Sequence, residues 1–186
     1  MKKSSILILI IICLVGCKKG SNETTITGEI KGLGTDTLYL YGMDELYDRI
    51  DTIYVENDKF SYTTSVDTIT SAYLLLKNRI EYPVFLDKGN KIKIKGDTIN
   101  LNFLTISGNI YNEEFTDFQK ALEDPADPSE KAGEETVDKR TTVEKANTAE
   151  EMAEEFILQH HSSYVSLYLL DKYFVQKETP DFSKIK

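Results

Sequence analysis

Arg49-Ile-Asp-Thr-Ile-Tyr-Val-Glu-Asn-Asp-Lys-Phe-Ser-Tyr-Thr-Thr64 alternates in polarity on both sides of Asn57-Asp58. Ile50, Thr52 and Tyr54 share one face of an extended segment, and Asp51, Ile53 and Val55 share the other. Asn and Asp tolerate the positive φ that a two-residue turn demands, so Arg49–Glu56 and Lys59–Thr64 read as two strands of a hairpin. The same signature extends on both sides of it. Thr25–Lys31 ends at Gly32-Leu33-Gly34, and Asp36–Tyr41 follows. Downstream come Ser71–Asn78 and Tyr82–Leu86, then the turn Asp87-Lys88-Gly89-Asn90, Lys91–Lys95 and Leu101–Ser107. Tyr73-Leu-Leu-Leu76 is apolar on both faces, as suits a central strand. Lys91-Ile-Lys-Ile-Lys95 points Ile92 and Ile94 inward and its lysines to water. Seven or eight short strands with turns at this spacing predict a mainly β fold, an antiparallel sandwich or barrel-like domain, followed by helical C-terminal segments.

After Gly108 the period becomes helical. Tyr111, Phe115, Phe118 and Leu122 line one helix face, expected to pack on the β domain and close it at residue 122. Residues 123–147 hold eight acids, four bases, two Pro and no aromatic side chain, the composition of a solvated linker with nascent helix near its end. Thr148-Ala-Glu-Glu151 resembles a capping box that starts a helix carrying Met152, Phe156 and Ile157 on one face. A second helix is expected from Ser163 to about Gln176. It is apolar almost all round, so it requires cover on more than one side. Residues 148–186 form this helical connector segment.

The inventory of charges and reactive groups excludes several functions. The chain has 186 residues, 22 basic and 31 acidic side chains, two Cys and two His. A zinc cluster, a disulfide scaffold and a basic nucleic-acid surface do not fit those counts. Tyr and Phe together number 19, enough to fill a core.

Lys2 and Lys3 precede an apolar run from Ile6 to Val15. As a helix it would reach only about 15 Å, at about 1.5 Å per residue, too short to span a bilayer. The pattern reads as an export signal over residues 1–16. Leu14-Val-Gly-Cys17 resembles a bacterial lipobox, which implies that Cys17 becomes the first mature residue and carries diacylglycerol, with palmitate-type acyl chains, on its sulfur. Two or three acyl chains anchor lastingly where one does not. Ordinary cleavage that leaves a free Cys17 thiol is the alternative. Removing residues 1–16 takes Lys2, Lys3 and Cys13 away and leaves 20 basic against 31 acidic side chains, a balance of −11. With Cys17 capped, no thiol is left for dithiol exchange or nucleophilic catalysis. Residues 17–24 then form a lipidated tether.

No Gly-x-Ser-x-Gly, Gly-x-x-x-x-Gly-Lys or Gly-x-Gly-x-x-Gly motif occurs. His160 and His161 point about 100° apart on a helix and cannot chelate as an i, i+4 pair does. Asp124, Asp127, Glu130, Glu134 and Glu135 lack the EF-hand order. Asp44, Glu45, Asp48 and Asp51 lie in or near turns and need no catalytic role. No catalytic residue, metal ligand or cofactor is therefore assigned. Tyr39, Tyr41, Tyr54, Tyr62, Tyr73 and Tyr82 fall on strands, where such residues pack the sheet or line a groove for peptide or glycan.

Taken in order, Ile-Thr-Gly-Glu-Ile-Lys-Gly-Leu33, Asp-Thr-Leu-Tyr-Leu40, the hairpin, Tyr82-Pro-Val-Phe-Leu-Asp-Lys-Gly-Asn-Lys-Ile-Lys-Ile-Lys-Gly-Asp97 and Ile106-Ser-Gly-Asn-Ile-Tyr-Asn112 resemble an N-terminal β domain of unknown function. That domain precedes a thioredoxin-like, peroxiredoxin-type domain in exported bacterial lipoproteins. The resemblance covers Thr25–Leu122, and Phe156–Leu170 is similar to the helical connector that follows. It implies a redox domain with a Cys-x-x-Cys motif beyond the connector. These 186 residues stop before such a motif, as a truncated product or part of a longer protein would, so no catalytic residue carries over. The expectation is a non-catalytic envelope lipoprotein whose β domain binds or spaces. It is held in the membrane through Cys17, with a peptide, glycan or protein partner and no nucleic acid. The alternatives are the N-terminal part of a thiol-disulfide oxidoreductase and a peptide- or glycan-binding lipoprotein. Lys18, in place of the Asp that marks inner-membrane retention, points by resemblance to the outer membrane.

Overall fold

The computed structural model describes residues 22–123, 142–177 and 180. The expected signal peptide, Cys17 and most of its tether lie outside the described residues, as do Asp124, Asp127, Glu130, Glu134 and Glu135. Eight strands are present: β1 (Glu23–Lys31), β2 (Asp36–Gly42), β3 (Ile50–Val55), β4 (Lys59–Ser65), β5 (Thr70–Leu75), β6 (Glu81–Leu86), β7 (Lys91–Asp97) and β8 (Thr105–Ser107). They form two four-stranded sheets, β4-β1-β7-β8 (sheet A) and β3-β2-β5-β6 (sheet B). Helices α1 (Ile110–Glu123), α2 (Thr142–Gln159) and α3 (Tyr164–Leu170) follow, and a π-helical turn at Asp171–Val175 continues α3.

The expected mainly β sandwich is present, and its core comes from the alternation. Ile26 and Ile30 of β1, Phe60 of β4, and Ile92 and Ile94 of β7 face inward from sheet A. Leu38, Leu40, Ile53, Val55, Ala72, Leu74, Val84 and Leu86 face them from sheet B. The ring of Phe60 lies on Gly28, its cross-strand partner, so closely that a Cβ there would sit 2.1 Å from Cζ. The outer face of sheet A carries Thr27, Glu29, Ser61, Thr63, Lys91, Lys93 and Lys95 and is exposed to water.

Several expectations need correction. The Asn57-Asp58 turn is real, with φ of 52° and 67°. Its flanking strands, however, pair only at Glu56 and Lys59 and then enter opposite sheets. Val55 and Phe60 must both reach the core, and a flat two-stranded ribbon would leave one side of each wet. The turn is therefore a corner of the sandwich. It is fixed by Asp58, whose carboxylate accepts from Gly34 N at 2.6 Å and whose carbonyl accepts from Ile30 N at 2.9 Å. One pair also departs from the antiparallel pattern, since β1 runs parallel to β7.

Strand β5 ends at Leu75, because a 3-10 turn at Lys77–Arg79 intervenes with Arg79 at φ 60°. Residues 101–104 are not strand; Asp97 caps a 3-10 turn at Thr98–Asn100 by accepting from Ile99 N at 2.9 Å. Leu101 and Leu104 are nevertheless buried. Glu23 and Thr24, expected in the tether, belong to β1, where Thr24 is fully buried. Helix α2 begins at Thr142 rather than at Thr148, because no Gly or Pro between them interrupts it. Ser163 does cap α3, accepting from Val165 N at 3.1 Å.

The aromatic stripe of α1 packs as expected. Phe115 meets Tyr82 of β6 edge-on at 5.9 Å and Tyr168 of α3 at 5.3 Å. Two polar residues beside that stripe do something periodicity does not announce. Asn112 donates to Phe85 O at 2.8 Å and accepts from Phe85 N at 3.0 Å. Thr116 donates to Ile106 O at 2.9 Å and accepts from Ile106 N at 3.0 Å. Phe85 lies on edge strand β6 of sheet B and Ile106 on edge strand β8 of sheet A. One helix therefore supplies the missing neighbour to both sheets. Pro83 shares the outward phase of Phe85, where a missing N–H costs nothing. Tyr82 closes the same seam, donating to Leu104 O at 2.9 Å and accepting from Leu104 N at 3.2 Å.

Thr116→Val should lower unfolding stability by about 1–3 kcal/mol in urea denaturation, because it leaves the Ile106 N–H and C=O buried and unpaired at nearly constant volume. Asn112→Leu should cost as much or more. Burial pushes the Tyr82 phenol up to about 12. Its raised value keeps the folded form protonated while an unfolded tyrosine ionises near 10. Its stabilising contribution is full below about pH 10 and is lost as pH rises towards 12, and Tyr82→Phe should flatten that part of the stability-against-pH curve.

A candidate binding face

The structure divides the six strand tyrosines rather than gathering them in one groove. Tyr62 and Tyr82 point between the sheets, while Tyr39, Tyr41, Tyr54 and Tyr73 point outward from sheet B. In register, Ile50, Tyr41, Tyr73 and Pro83 form one row across that outer face, and Thr52, Tyr39, Leu75 and Glu81 form the next. The α3 end of the chain covers the β5–β6 half: Tyr168 stands edge-on to Phe85 at 6.3 Å, and burial raises Tyr73 with the Glu81 and Asp171 charges adding to it. The β2–β3 half is bare. Tyr54 is 74% exposed, Ile50 73% and Tyr39 41%. Tyr41 marks the boundary, its ring 5.7 Å from that of Tyr73 and its hydroxyl donating to Glu81.

The connection from β2 to β3 borders this strip. Asp44 caps a 3-10 turn at Glu45–Tyr47, accepting from Leu46 N at 2.9 Å, and Leu46 projects into solvent. Tyr41, Met43, Glu45, Asp48 and Ile50 line a shallow groove of about 470 Å³ beneath this loop. Gly42 is required there, because a Cβ would meet the Tyr47 carbonyl at 2.1 Å.

Tyr47 turns inward and plugs the seam between the edges β3 and β4. Its hydroxyl donates to Asp51 and lies 3.1 Å from Thr64 Oγ1. The Arg49 guanidinium stacks 4.7 Å over the Tyr47 ring, pairs with Asp51 at 3.1 Å, and donates to Thr64 and to Ser65 O at 3.1 Å. Burial first and the Asp51 carboxylate second raise the Tyr47 phenol. The same causes push Tyr62 up to about 12. Asp51 thus ties Tyr47 and Arg49 together, and Asp44 caps its turn while also accepting from Thr70 Oγ1 at 3.5 Å.

The histidines do not converge on anything. His160 stacks on Phe156 at 4.3 Å with Nδ1 3.6 Å from Glu114, and His161 is exposed. Among the described residues no three His, Cys, Asp or Glu side chains group as metal ligands would. Sequence reading missed Arg49, Tyr47, Asn112 and Thr116. Only the i, i+4 spacing of Asn112 and Thr116, next to Tyr111 and Phe115, hinted that two polar side chains would be buried together.

The arrangement defines a helix-backed β-sandwich domain with one bare aromatic strip. Residues 24–115 carry a domain of unknown function, DUF4369, spanning all of β2 to β8 and the first part of α1. No curated protein and no solved structure matches the chain.

Tyr47→Phe should cost about 1 kcal/mol in thermal or urea unfolding, since it removes the hydroxyl bonds to Asp51 and Thr64 while keeping the ring.

Proposed function

We propose that this protein is a non-catalytic, lipid-anchored cell-envelope module. Residues 1–16 direct export, Cys17 carries the lipid in the outer membrane, and the β domain presents the bare half of sheet B to a protein partner. The observation that carries the binding part is the asymmetry of that sheet: helices cover the outward side chains of β5 and β6, whereas Tyr39, Ile50 and Tyr54 stand together in water. Tyrosine offers a large, rigid contact area with a polar tip, the chemistry enriched at protein interfaces. The anchoring part is supported by Leu14-Val-Gly-Cys17 at the end of the apolar run.

Cys17→Ser should abolish incorporation of labelled palmitate and move the protein out of the membrane fraction; retained label or retained membrane association overturns the anchor. A photoreactive residue at position 54 should give discrete protein adducts in intact cells, and one at position 93 on the outer face of sheet A should not. Adducts from position 93 alone would reverse the assignment of the binding face.

A further inference from the structure

We infer that the partner of this face is a second copy of the chain, joined edge to edge through β3 about a two-fold axis at Thr52. The inference rests on the binding-face reading above and names its occupant.

An unpaired edge strand is a template for another strand, and folded proteins block such edges with proline, lysine or covering side chains. Two of the four edges here are blocked by side chains of α1. Strand β6 contains Pro83 and its Phe85 backbone is bonded by Asn112; Ile106 of β8 is bonded by Thr116. Strand β4 is covered at its ends, by the corner turn at Lys59 and by Arg49 on the Ser65 carbonyl at 3.1 Å, while between them its outward residues Ser61 and Thr63 are small and polar and offer no apolar side chain to a partner. Strand β3, Ile50-Asp-Thr-Ile-Tyr-Val55, contains neither Pro nor Lys, and no side chain among the described residues bonds its outward backbone.

The corner turn shows which β3 groups point outward. Glu56 N donates to Lys59 O at 2.9 Å and Lys59 N to Glu56 O at 3.1 Å, on the side away from β2. Alternation then turns the N–H and C=O of Ile50, Thr52 and Tyr54 the same way, while Asp51, Ile53 and Val55 face β2.

Few registers let two such edges meet. Opposed residues must share a face, so a symmetric antiparallel pair is centred on a single residue. Centred on Thr52, Ile50 lies opposite the partner's Tyr54 and Thr52 opposite the partner's Thr52. Every outward N–H and C=O of the three residues then finds a mate, with about six hydrogen bonds by the antiparallel ladder rule. Centring on Ile53 would call on Glu56, whose backbone is already committed to the corner turn. Centring on Asp51 would set two carboxylates directly opposite each other, which destabilises a sheet. The Thr52 register also matches side chains, giving aromatic against β-branched twice and Thr against Thr once, pairs that favour adjacent strands. It joins the two B sheets into one, and brings the exposed Ile50 and Tyr54 of each copy against those of the other.

The test uses the full-length chain expressed in its host envelope and solubilised in detergent. Paired residues of this type lie about 5.5 Å apart at Cα, within disulfide reach. Thr52→Cys should therefore form a disulfide-linked dimer on mild oxidation, and Thr63→Cys, on the outer face of sheet A, should not. The unmodified chain should sediment as a dimer and Thr52→Pro as a folded monomer, because the Thr52 N–H takes no part in pairing with β2. Sedimentation as a monomer throughout, with Thr52→Cys linking no faster than Thr63→Cys, overturns the inference. Adducts from position 54 to a different protein, together with a monomeric chain, would leave the binding face standing and remove the second copy from it.

Discussion

An open two-sheet sandwich has four edge strands, and each edge carries a row of backbone donors and acceptors that water, another strand or a side chain must satisfy. In this protein that requirement governs the position of α1. Asn112 and Thr116, one helical turn apart, each present a donor and an acceptor to a single residue of a different sheet. A carboxamide bonded to both Phe85 N and Phe85 O imitates the next residue of a neighbouring strand. The Thr116 hydroxyl does the same for Ile106 with one atom. The helix thereby substitutes for a strand that would have to belong to both sheets at once, and its aromatic stripe is carried down onto Tyr82 and Phe85 as a consequence. Tyr168 and Phe156 then close over the stripe from α3 and α2.

The opposite seam is built on another plan. Strands β3 and β4 are tied at one end by the Asn57-Asp58 corner and at the other by Tyr47, Arg49, Asp51 and Thr64. Side chains plug the space between the sheets there, and among the described residues no side chain bonds the β3 backbone on its outer side. The molecule is therefore lopsided, with helices over β5, β6 and β8 and bare β2 and β3. This lopsidedness is what supports the proposed partner on the β2–β3 side, since sheet B buries one half of its outer face and exposes Tyr39, Ile50 and Tyr54 on the other.

Much of the fold was legible in the sequence because alternation with period two survives wherever one strand face is dry and the other wet. Ile92 and Ile94 between three lysines, and Ile53 and Val55 beside Thr52 and Tyr54, could be assigned to a face without tertiary information. What could not be read was which sheet each strand joins. A two-residue turn looks the same locally whether its strands stay paired or splay around a corner, and the bonds from Asp58 to Gly34 and Ile30 that fix the corner lie more than twenty residues away in the chain. The parallel β1–β7 pair was hidden for the same reason. Length was misjudged where a polar side chain captured the backbone, as Asp97 does ahead of β8. Of the binding face, the residue type was legible and the location was not. Six strand tyrosines were apparent, but only the cover given by α3 separates the exposed Tyr39 and Tyr54 from the half-covered Tyr73 and the buried Tyr82.

The central claim is that α1 completes the edges of both sheets through Asn112 and Thr116. Residue-resolved amide hydrogen exchange at neutral pH tests it most directly, because the amides of Phe85 and Ile106 face away from their own sheets and, among the described residues, are bonded by those two side chains. The account predicts that both exchange as slowly as core amides such as Leu74, through global unfolding, whereas the outward amides of β3 exchange faster. Exchange of Phe85 and Ile106 at the rate of a solvated edge would contradict it.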